Sequence, residues 1–511
     1  MNPRILTYYA IAIATVLSLV GCSVNPVTGK NELSLISPQQ EIALGEKNYR
    51  PSRQSQGGDY YLDAELQRYV ATVGNRLAAV SDMPDLPYSF VVLNNSVPNA
   101  WALPGGKIAI NRGLLTYLAD ESQLAAVLAH EIVHAAARHG ASQMSRGTLA
   151  SLGLLTVGVG TQGREGAQLY GLASELGAAA WMAKYGRDDE LESDYYGMLY
   201  MSRAGYEPQG AVELQRTFVK LSEGKQGGFV AGLFASHPPS IQRVEANQAR
   251  AATLPSGQRY AERYQAAIAQ LKTDAPAYQA AQEAATALKN KQPKQAIALL
   301  DKAIAVQSDE GYFWELRGLS WKMQNNFTNA EKAFTTAIGK NSEYFSPYLA
   351  RGVLRHEMGQ KSQGLADIRR SHELLPTPMA SYYLGNAALD DQQYAQATSY
   401  FKKAAMAGGD LARQAQKGLA SAQLQLQPEL FLTAEISLSD QGYLLITTFN
   451  NSPVSMVNIR LRLTAGEQSR WFNLESVLPA GRSVTINTGV GPIVSSATQY
   501  RVNVRSATVL N

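Results

Sequence analysis

The stretch Leu124-Ala125-Ala126-Val127-Leu128-Ala129-His130-Glu131-Ile132-Val133-His134 decides how the central part of this 511-residue chain folds. Its residues are strong helix formers, and Asp120 followed by Gln123 predicts a capping box at the helix start. Four positions are just over one helical turn, so His130 and His134 present their imidazoles on one face. Because the flanking residues are apolar, we expect this helix to be largely buried.

Two imidazoles at this spacing can serve as two of the four ligands of a tetrahedral Zn²⁺ ion. Glu131 lies beside them and can take a proton from an attacking water molecule and return it to a leaving amine. Burying these ionisable side chains without a metal would be costly. The pattern therefore predicts one zinc ion per chain and the chemistry of a zinc peptidase, although a five-residue pattern is not specific by itself.

A third zinc ligand is predicted within Arg187-Asp188-Asp189-Glu190-Leu191-Glu192-Ser193-Asp194. Glu190 and Asp194 are four residues apart on a predicted helix and therefore share one face. Glu190 can complete the protein ligands of the metal. Asp194 can accept the second N–H of a ligand histidine and so fix its tautomer.

Two other polar residues near these positions receive simpler interpretations. His139 does not fit a third ligand, since the metzincin arrangement requires a histidine where Gly140 stands. We interpret His139 as capping or packing at the end of its helix. Glu192 faces a different side of its helix from Glu190, and we interpret it as a charge without a role.

The first residues predict export. An early cation and the apolar run at residues 5–20 are typical of a secretory signal rather than of a spanning helix, so residues 1–21 are interpreted as a signal peptide. Leu19-Val20-Gly21-Cys22 resembles a bacterial lipobox, in which Cys22 becomes a lipid-modified N-terminus held on a membrane surface. Ser23 resembles the sorting signal for the outer membrane of a Gram-negative cell, facing the periplasm. With Cys22 the only cysteine, internal disulfides and thiol catalysis are excluded.

The chemistry is predicted to lie in the first folded domain. A tether at residues 22–36 leads to residues 37–254, whose first helix is marked by Ser37-Pro38-Gln39-Gln40. This domain is mainly helical with short β-like runs near residues 88–93 and 107–110. The apolar stretches at 149–159 and 169–182 are interpreted as packing helices or as a lid over the metal.

Two further domains follow. Residues 275–427 are predicted to form about four tetratricopeptide repeats, because small and apolar residues recur at the 34-residue period of such helix pairs. The predicted pairs start near Ala277, Gly311, Phe345 and Pro378, and the third is degenerate, with Gly364 and Ile368 at its motif positions. The period-two alternation of residues 428–511 predicts a small all-β sandwich of about six strands.

Further motifs accompany the zinc pattern in the order Asn99-Ala100-Trp101-Ala102-Leu103-Pro104-Gly105-Gly106, Gly113-Leu114-Leu115, Arg187-x-x-Glu190-x-x-Ser193-Asp194 and His237-Pro238-Pro239-x-x-x-Arg243. Together they resemble metallopeptidase family forty-eight, of the gluzincin type, over residues 25–255. The periplasmic BepA-like members are the most similar group, given the lipobox and the repeats. Ser193 stands where the family usually has alanine, and Trp101 where phenylalanine is frequent; neither affects the metal chemistry.

The resemblance implies roles for three more sites in an α+β metalloprotease domain. The segment Asn99–Trp101 would lie on an edge strand that pairs with extended substrate. His237 would either stabilise the tetrahedral oxyanion or occupy the open position of the metal as a latch. Arg243 would either assist the oxyanion or form a salt bridge within the fold.

Charge narrows the possible partners. The chain has 46 basic and 42 acidic residues, a net charge of +4, and no Lys/Arg run that would follow a phosphate backbone, so nucleic acid is not expected. Two function classes stay open for this multidomain, mainly α protein. One is a zinc endopeptidase that cleaves misfolded or unassembled envelope proteins. The other is an outer-membrane protein assembly factor whose repeats bind an envelope protein partner while the protease is latched.

Overall fold

The computed structural model describes residues 22–147, 185–223, 237–452, 454–493 and 499–510. Residues up to Tyr344 form one compact unit, and Phe345 onward forms a second. The predicted signal peptide, the side chain of Cys22 and the apolar stretches at 149–159 and 169–182 lie outside the described residues. The boundaries predicted for the domains stay a prediction.

Among the helices of the described residues, none is both long and apolar enough to span a membrane.

The first unit begins with a hairpin of β1 (Cys22–Val24) and β2 (Asn31–Leu33), followed by helix α1 (Pro38–Ser55). The side chain of Ser37 accepts from the Gln40 N–H, and the Gln40 side chain accepts from the Ser37 N–H. These reciprocal bonds satisfy two backbone donors at the helix start, so the predicted helix start is confirmed.

A three-stranded sheet follows, made of β3 (Ser89–Leu93), β4 (Ala100–Leu103) and β5 (Lys107–Asn111). Its order is β3-β5-β4, with β3 parallel and β4 antiparallel to β5. Strand β4 therefore lies at an edge. Gly105 has φ +74° in the turn between β4 and β5, where a Cβ would lie 2.8 Å from the Cα of Ile42, so glycine is required there.

Among the described residues, the part of the first unit up to Ala267 contains seven further helices with defined bounds: α2 (Ala64–Ala78), α3 (Arg112–Leu115), α4 (Glu121–Ala136), α5 (Arg187–Arg203), α6 (Gln209–Glu223), α7 (Ile241–Ala251) and α8 (Ala261–Ala267). Residues 139–147 are also helical. Every residue of α4 is buried, as its apolar flanks predicted. Asp120 caps α4 by accepting from the Gln123 N–H, but the Gln123 side chain bonds the Ala119 N–H, so only half of the predicted capping box forms. Gly197 lets α5 approach α4 closely, since a Cβ there would lie 3.2 Å from the backbone nitrogen of His130.

The first unit ends with two helix pairs, α9 (Ala269–Lys289) with α10 (Pro293–Val306) and α11 (Gly311–Met323) with α12 (Phe327–Lys340). The first pair begins eight residues before Ala277, and the second begins at Gly311 as predicted. Gly318 packs against the ring of Phe334, where a Cβ would lie 2.5 Å from a ring atom. The 34-residue period thus places small residues where paired helices approach.

The second unit continues with α13 (Phe345–Glu357), α14 (Lys361–Leu374), α15 (Pro378–Asp390), α16 (Tyr394–Ala404) and α17 (Gly409–Leu426). In the degenerate third pair, Gly352 meets Ile368 and the backbone of Gly364, so the helices approach closely despite the altered motif.

The end of the chain forms two three-stranded antiparallel sheets. One has the order β10 (Ser483–Asn487), β7 (Leu444–Asn450), β6 (Leu432–Leu438), and the other β11 (Tyr500–Val509), β8 (Met456–Ala465), β9 (Gln468–Leu474). Ile446 from the first sheet and Ile459 and Leu461 from the second share one buried core. The predicted fold class, mainly α with an α+β domain, tetratricopeptide helices and a C-terminal β-sandwich, is confirmed.

Candidate metal centre

Four potential metal ligands meet where α4, α5 and the segment before α7 come together. Helix α4 contributes His130 and His134, α5 contributes Glu190, and His237 precedes α7. One ligand atom from each residue lies within 4.8 Å of the others. All four side chains belong to residues that are at most 8% exposed. The three residues predicted as ligands are thus brought together, and His237 joins them.

The side chains of this group are close enough to bind one ion. Five distances fall between 3.0 and 3.6 Å: His130 Nε2 to His134 Nε2 3.1 Å, His130 Nε2 to Glu190 Oε2 3.6 Å, His134 Nε2 to Glu190 Oε1 3.4 Å, His237 Nδ1 to Glu190 Oε1 3.0 Å, and His237 Nδ1 to His130 Nε2 3.3 Å. Ligands that bind Zn²⁺ tetrahedrally at roughly 2.0–2.2 Å lie about 3.3–3.6 Å apart. The imidazole and carboxylate donors therefore fit this ion.

Asp194 and Arg243 hold the ligands in place. Asp194 Oδ1 lies 3.0 Å from His130 Nδ1, so the ring nitrogen opposite the ligand atom donates to a carboxylate. Arg243 is 3% exposed and donates to both oxygens of Asp194 and, at 2.7 Å, to Glu190 Oε2. Of the two roles left open for Arg243, these contacts favour the salt bridge.

The electrostatics of the centre favour positive charge. Burial opposes the charged form of His130, but the neighbouring carboxylates of Glu190 and Asp194 prevail and raise the pKa of His130 to about 10. Burial lowers the pKa of His134 and keeps that ring neutral, and a divalent cation held by these residues would supply positive charge beside the carboxylates.

Glu131 lies beside this group and is 2% exposed. Its Oε1 is 3.4 Å from His237 Nε2, and its Oε2 has no hydrogen-bond partner among the described residues. Burial raises the pKa of Glu131, against the lowering effect of His237 and His130. A carboxylate with a raised pKa and a free oxygen is suited to accept and return a proton.

Comparison with known families agrees with this geometry. Residues 64–251 match the model of Peptidase family M48. This segment is an M48 peptidase domain. The family resemblance found in the sequence is therefore confirmed.

Two named proteins are similar to this chain over its M48 domain. The chain is 34% identical over 189 residues to the beta-barrel assembly-enhancing protease of Yersinia pestis, covering 36% of this chain and 38% of that protein. It is 32% identical over 224 residues to the mitochondrial metalloendopeptidase OMA1 of Schizosaccharomyces pombe, covering 43% and 63%. The match thus spans less than two thirds of either relative. Among solved structures, the Arabidopsis OM64 TPR domain is 21% identical with a TM-score of 0.21, covering 22% of this chain and 93% of that one.

The M48 domain also contains a histidine whose role the sequence did not indicate. His139 Nδ1 lies 2.9 Å from His134 Nδ1, and His139 Nε2 lies 3.1 Å from Glu192 Oε1. If His134 offers Nε2 to the metal, its Nδ1–H donates to His139, whose Nε2–H then donates to Glu192. Asn25 donates to the same Glu192 oxygen at 3.3 Å.

His139 is buried just after the end of α4, as interpreted, but it also contacts His134. Glu192, interpreted as a charge without a role, contacts His139 and Asn25. A residue five positions after His134 would face elsewhere on a continuous helix. Arg138 has φ +61° and ends α4, and this turn returns His139 to His134. The five-residue separation of His134 and His139 was the only hint in the sequence of their contact. It did not reveal the turn at Arg138 that brings the two side chains together.

Of the predicted substrate-binding segment, Ala100 and Trp101 lie on strand β4 of the M48 domain and Asn99 immediately precedes it; Ala100 lines the same cavity as His130 and Glu131. The Asn111 N–H donates to the Asn99 carbonyl, so in the alternating antiparallel pattern the N–H and C=O of Ala100 and Ala102 point away from β5. Among the strands that the structure describes, none pairs with this outer edge. Buried Trp101 Nε1 also has no partner within the described residues.

Proposed function

We propose that this chain is a zinc-dependent endopeptidase in which His130, His134 and Glu190 hold the ion and Glu131 activates water. The observation that carries the proposal is the set of 3.0–3.6 Å ligand distances beside a buried glutamate in an M48 domain. The chemistry that Zn²⁺ supplies at such a site is activation of water near neutral pH and polarisation of a carbonyl group.

The residues of the chain divide the remaining work. Glu131 takes a proton on Oε2 from the attacking water as the water oxygen bonds to the scissile carbonyl carbon. It then gives that proton to the leaving nitrogen as the C–N bond breaks, so Glu131 ends in its starting state. Asp194 keeps the ring of His130 in one tautomer, and Arg243 neutralises the buried carboxylates.

Substrate is held on β4 in this proposal. The N–H and C=O groups of Ala100 and Ala102 point away from β5, and they can pair with an extended segment, as in strand addition, once this buried edge opens. Such pairing recognises the backbone of the substrate rather than its side chains. It therefore requires a substrate segment that is not already folded. Misfolded or unassembled polypeptides are therefore the proposed substrates.

His237 supports a latched resting state. A catalytic zinc site keeps one position open beside three protein ligands. His237 Nδ1 lies 3.0 Å from Glu190 Oε1 and 3.3 Å from His130 Nε2, where a fourth ligand would be. This placement favours the latch over the oxyanion role, and cleavage then requires His237 to move away.

We further propose that the protein works in the bacterial envelope, anchored through a lipid on Cys22 to the outer membrane and facing the periplasm. The name of the Yersinia relative, a beta-barrel assembly-enhancing protease, supports this compartment. The tetratricopeptide helices are suited to bind an envelope protein partner or substrate. The alternative of an assembly factor with a rarely active protease gains support from the position of His237.

Casein cleavage by the purified chain tests the enzyme and the latch together. We expect Glu131→Gln to lower kcat by at least about 100-fold, since a general base contributes that much or more. His237→Ala should raise the rate of casein cleavage if His237 is a latch. Cleavage that persists in Glu131→Gln would refute the mechanism, whereas an inactive His237→Ala chain beside an active parent would assign His237 to catalysis.

A further inference from the structure

A small cavity lies beside Glu131 in the interior of the M48 domain. Its volume is about 40 Å³, and α4, α5, α6 and α7 surround it together with Ala100 of β4. Four residues that line it carry buried polar atoms without a hydrogen-bond partner among the described residues: Glu131 Oε2, His237 Nε2, Gln215 Oε1 and Asn247 Nδ2.

The proposed mechanism accounts for only two of these four atoms. Glu131 and His237 act on water and on the metal position. Gln215 on α6 is 5% exposed and Asn247 on α7 is 2% exposed, and neither has a part in that chemistry. A buried acceptor or donor without a partner is costly, so these two atoms, which line the same cavity, indicate that a polar group can bind there.

His130, Ser193, Asp194 and Arg243, at the side of the metal centre, also line the cavity, and the remainder of its wall is apolar. It includes Val127, Met198, Met201, Leu214 and Phe218. An apolar pocket with a few placed polar groups is the usual form of a site that orients a ligand and selects it.

Size and hydrogen bonding together define the group that fits. One buried water needs roughly 10–15 Å³, so the cavity has room for a group of only a few heavy atoms. A leucine or phenylalanine side chain is too large. An alcohol both donates and accepts, which matches the Gln215 acceptor and the Asn247 donor.

We propose that this cavity is a subsite for the hydroxyl-bearing side chain of a serine or threonine next to the scissile bond. The hydroxyl donates to Gln215 Oε1 and accepts from Asn247 Nδ2. Because Ala100 and Glu131 both line the cavity, a side chain from a segment paired with β4 can enter it beside the reacting bond. The subsite rests on the proposed peptidase function and adds a preference to it.

Cleavage-site profiling on a library of unfolded peptides tests the subsite, with the purified chain and its His237→Ala variant. Matched quenched peptides that differ only by Ser, Thr or Ala at the favoured position then give kcat/KM. We expect serine or threonine to exceed alanine by about 10-fold or more, since sites built around a hydroxyl reject analogues that lack it. The same order of dissociation constants is expected for these peptides on the Glu131→Gln chain, which reports binding without cleavage.

Near-isosteric variants assign the effect to the two amides. In a Gln215→Met, Asn247→Leu chain, the preference for serine over alanine should fall to about 1–3-fold while the alanine peptide is still cleaved. Gln248→Met is the matched control, because Gln248 is the next residue on α7 and is exposed. It should keep the wild-type ratio.

The outcomes separate the two claims. Cleavage by the unmodified chain with no preference for serine or threonine beside the bond overturns the subsite, whatever the variants do, and leaves the peptidase standing. That result would mean that only water occupies the cavity. A preference that survives in the double variant also overturns it. No cleavage by either the unmodified chain or His237→Ala refutes the peptidase itself and the subsite with it.

Discussion

His134 shows how a single residue depends on neighbours that are distant in sequence. Its ligand nitrogen faces the metal centre, while its other nitrogen meets His139, which in turn meets Glu192. The sequence predicted His130 and His134 as ligands because helical spacing puts them on one face, and it predicted Glu190 because Glu190 and Asp194 share a face of a second helix. It did not predict the contact of His139, because a turn at Arg138 creates it.

We expect His139→Ala to weaken zinc binding by about 10–100-fold, since loss of a group that orients a ligand histidine typically has this effect. Competition with a chromophoric chelator measures the affinity. His139→Asn should recover part of it by offering a hydrogen-bonding group, which a purely structural histidine would not require. His356→Ala, in the second unit, serves as the control. An unchanged zinc affinity in His139→Ala would remove His139 from the metal site.

Strand β4 and helix α4 differ in how far the sequence alone predicted their positions in the fold. The apolar run and the zinc pattern predicted a buried α4, and all of its residues are buried. The edge position of β4 was implied only by family resemblance, because strand order depends on pairing between distant residues that no local pattern shows. The predicted capping box of α4 forms only in part, because the Gln123 side chain accepts from the Ala119 N–H rather than from the Asp120 N–H.

The outer edge of β4 provides a direct test of strand addition. Ala102→Pro removes an N–H that points away from β5, a position at which an edge strand tolerates proline. We expect kcat/KM for extended peptides to fall about 10-fold, because one backbone hydrogen bond to substrate is worth about 1 kcal/mol and proline also crowds the edge. Zinc content should stay at the parent value. An unaltered kcat/KM would show that substrate does not pair with β4.

The first unit as a whole joins the M48 domain to two helix pairs. One hydrophobic core includes Leu66 and Leu115 from the M48 domain and Tyr278 and Phe313 from the repeats. Buried Glu310 accepts hydrogen bonds from Asn94 at 2.9 Å and from Tyr278 at 2.6 Å. The 34-residue period predicted the helix pairs, but it contained no information on what packs against them.

Two shortened chains test whether this shared core matters. A chain ending at Tyr344 retains the core, and we expect it to bind one zinc ion with the parent affinity. A chain ending at Ile268 keeps α8 but loses α9 to α12 and exposes apolar surface, so its Tm should fall by at least about 10 °C. Thermal denaturation followed by circular dichroism compares them. Equal Tm values for the two chains would mean that the repeats do not stabilise the M48 domain.

Metal content is the most direct test of the zinc centre. Elemental analysis by mass spectrometry would be applied to the purified chain, to Glu131→Gln and to Glu190→Ala after the same treatment with a weak chelator. We predict one zinc ion per chain in the first two and well below one in Glu190→Ala, because Glu190 binds the ion and Glu131 does not. An unmodified chain without stoichiometric zinc, or a Glu190→Ala chain that keeps all of it, would contradict the proposed centre.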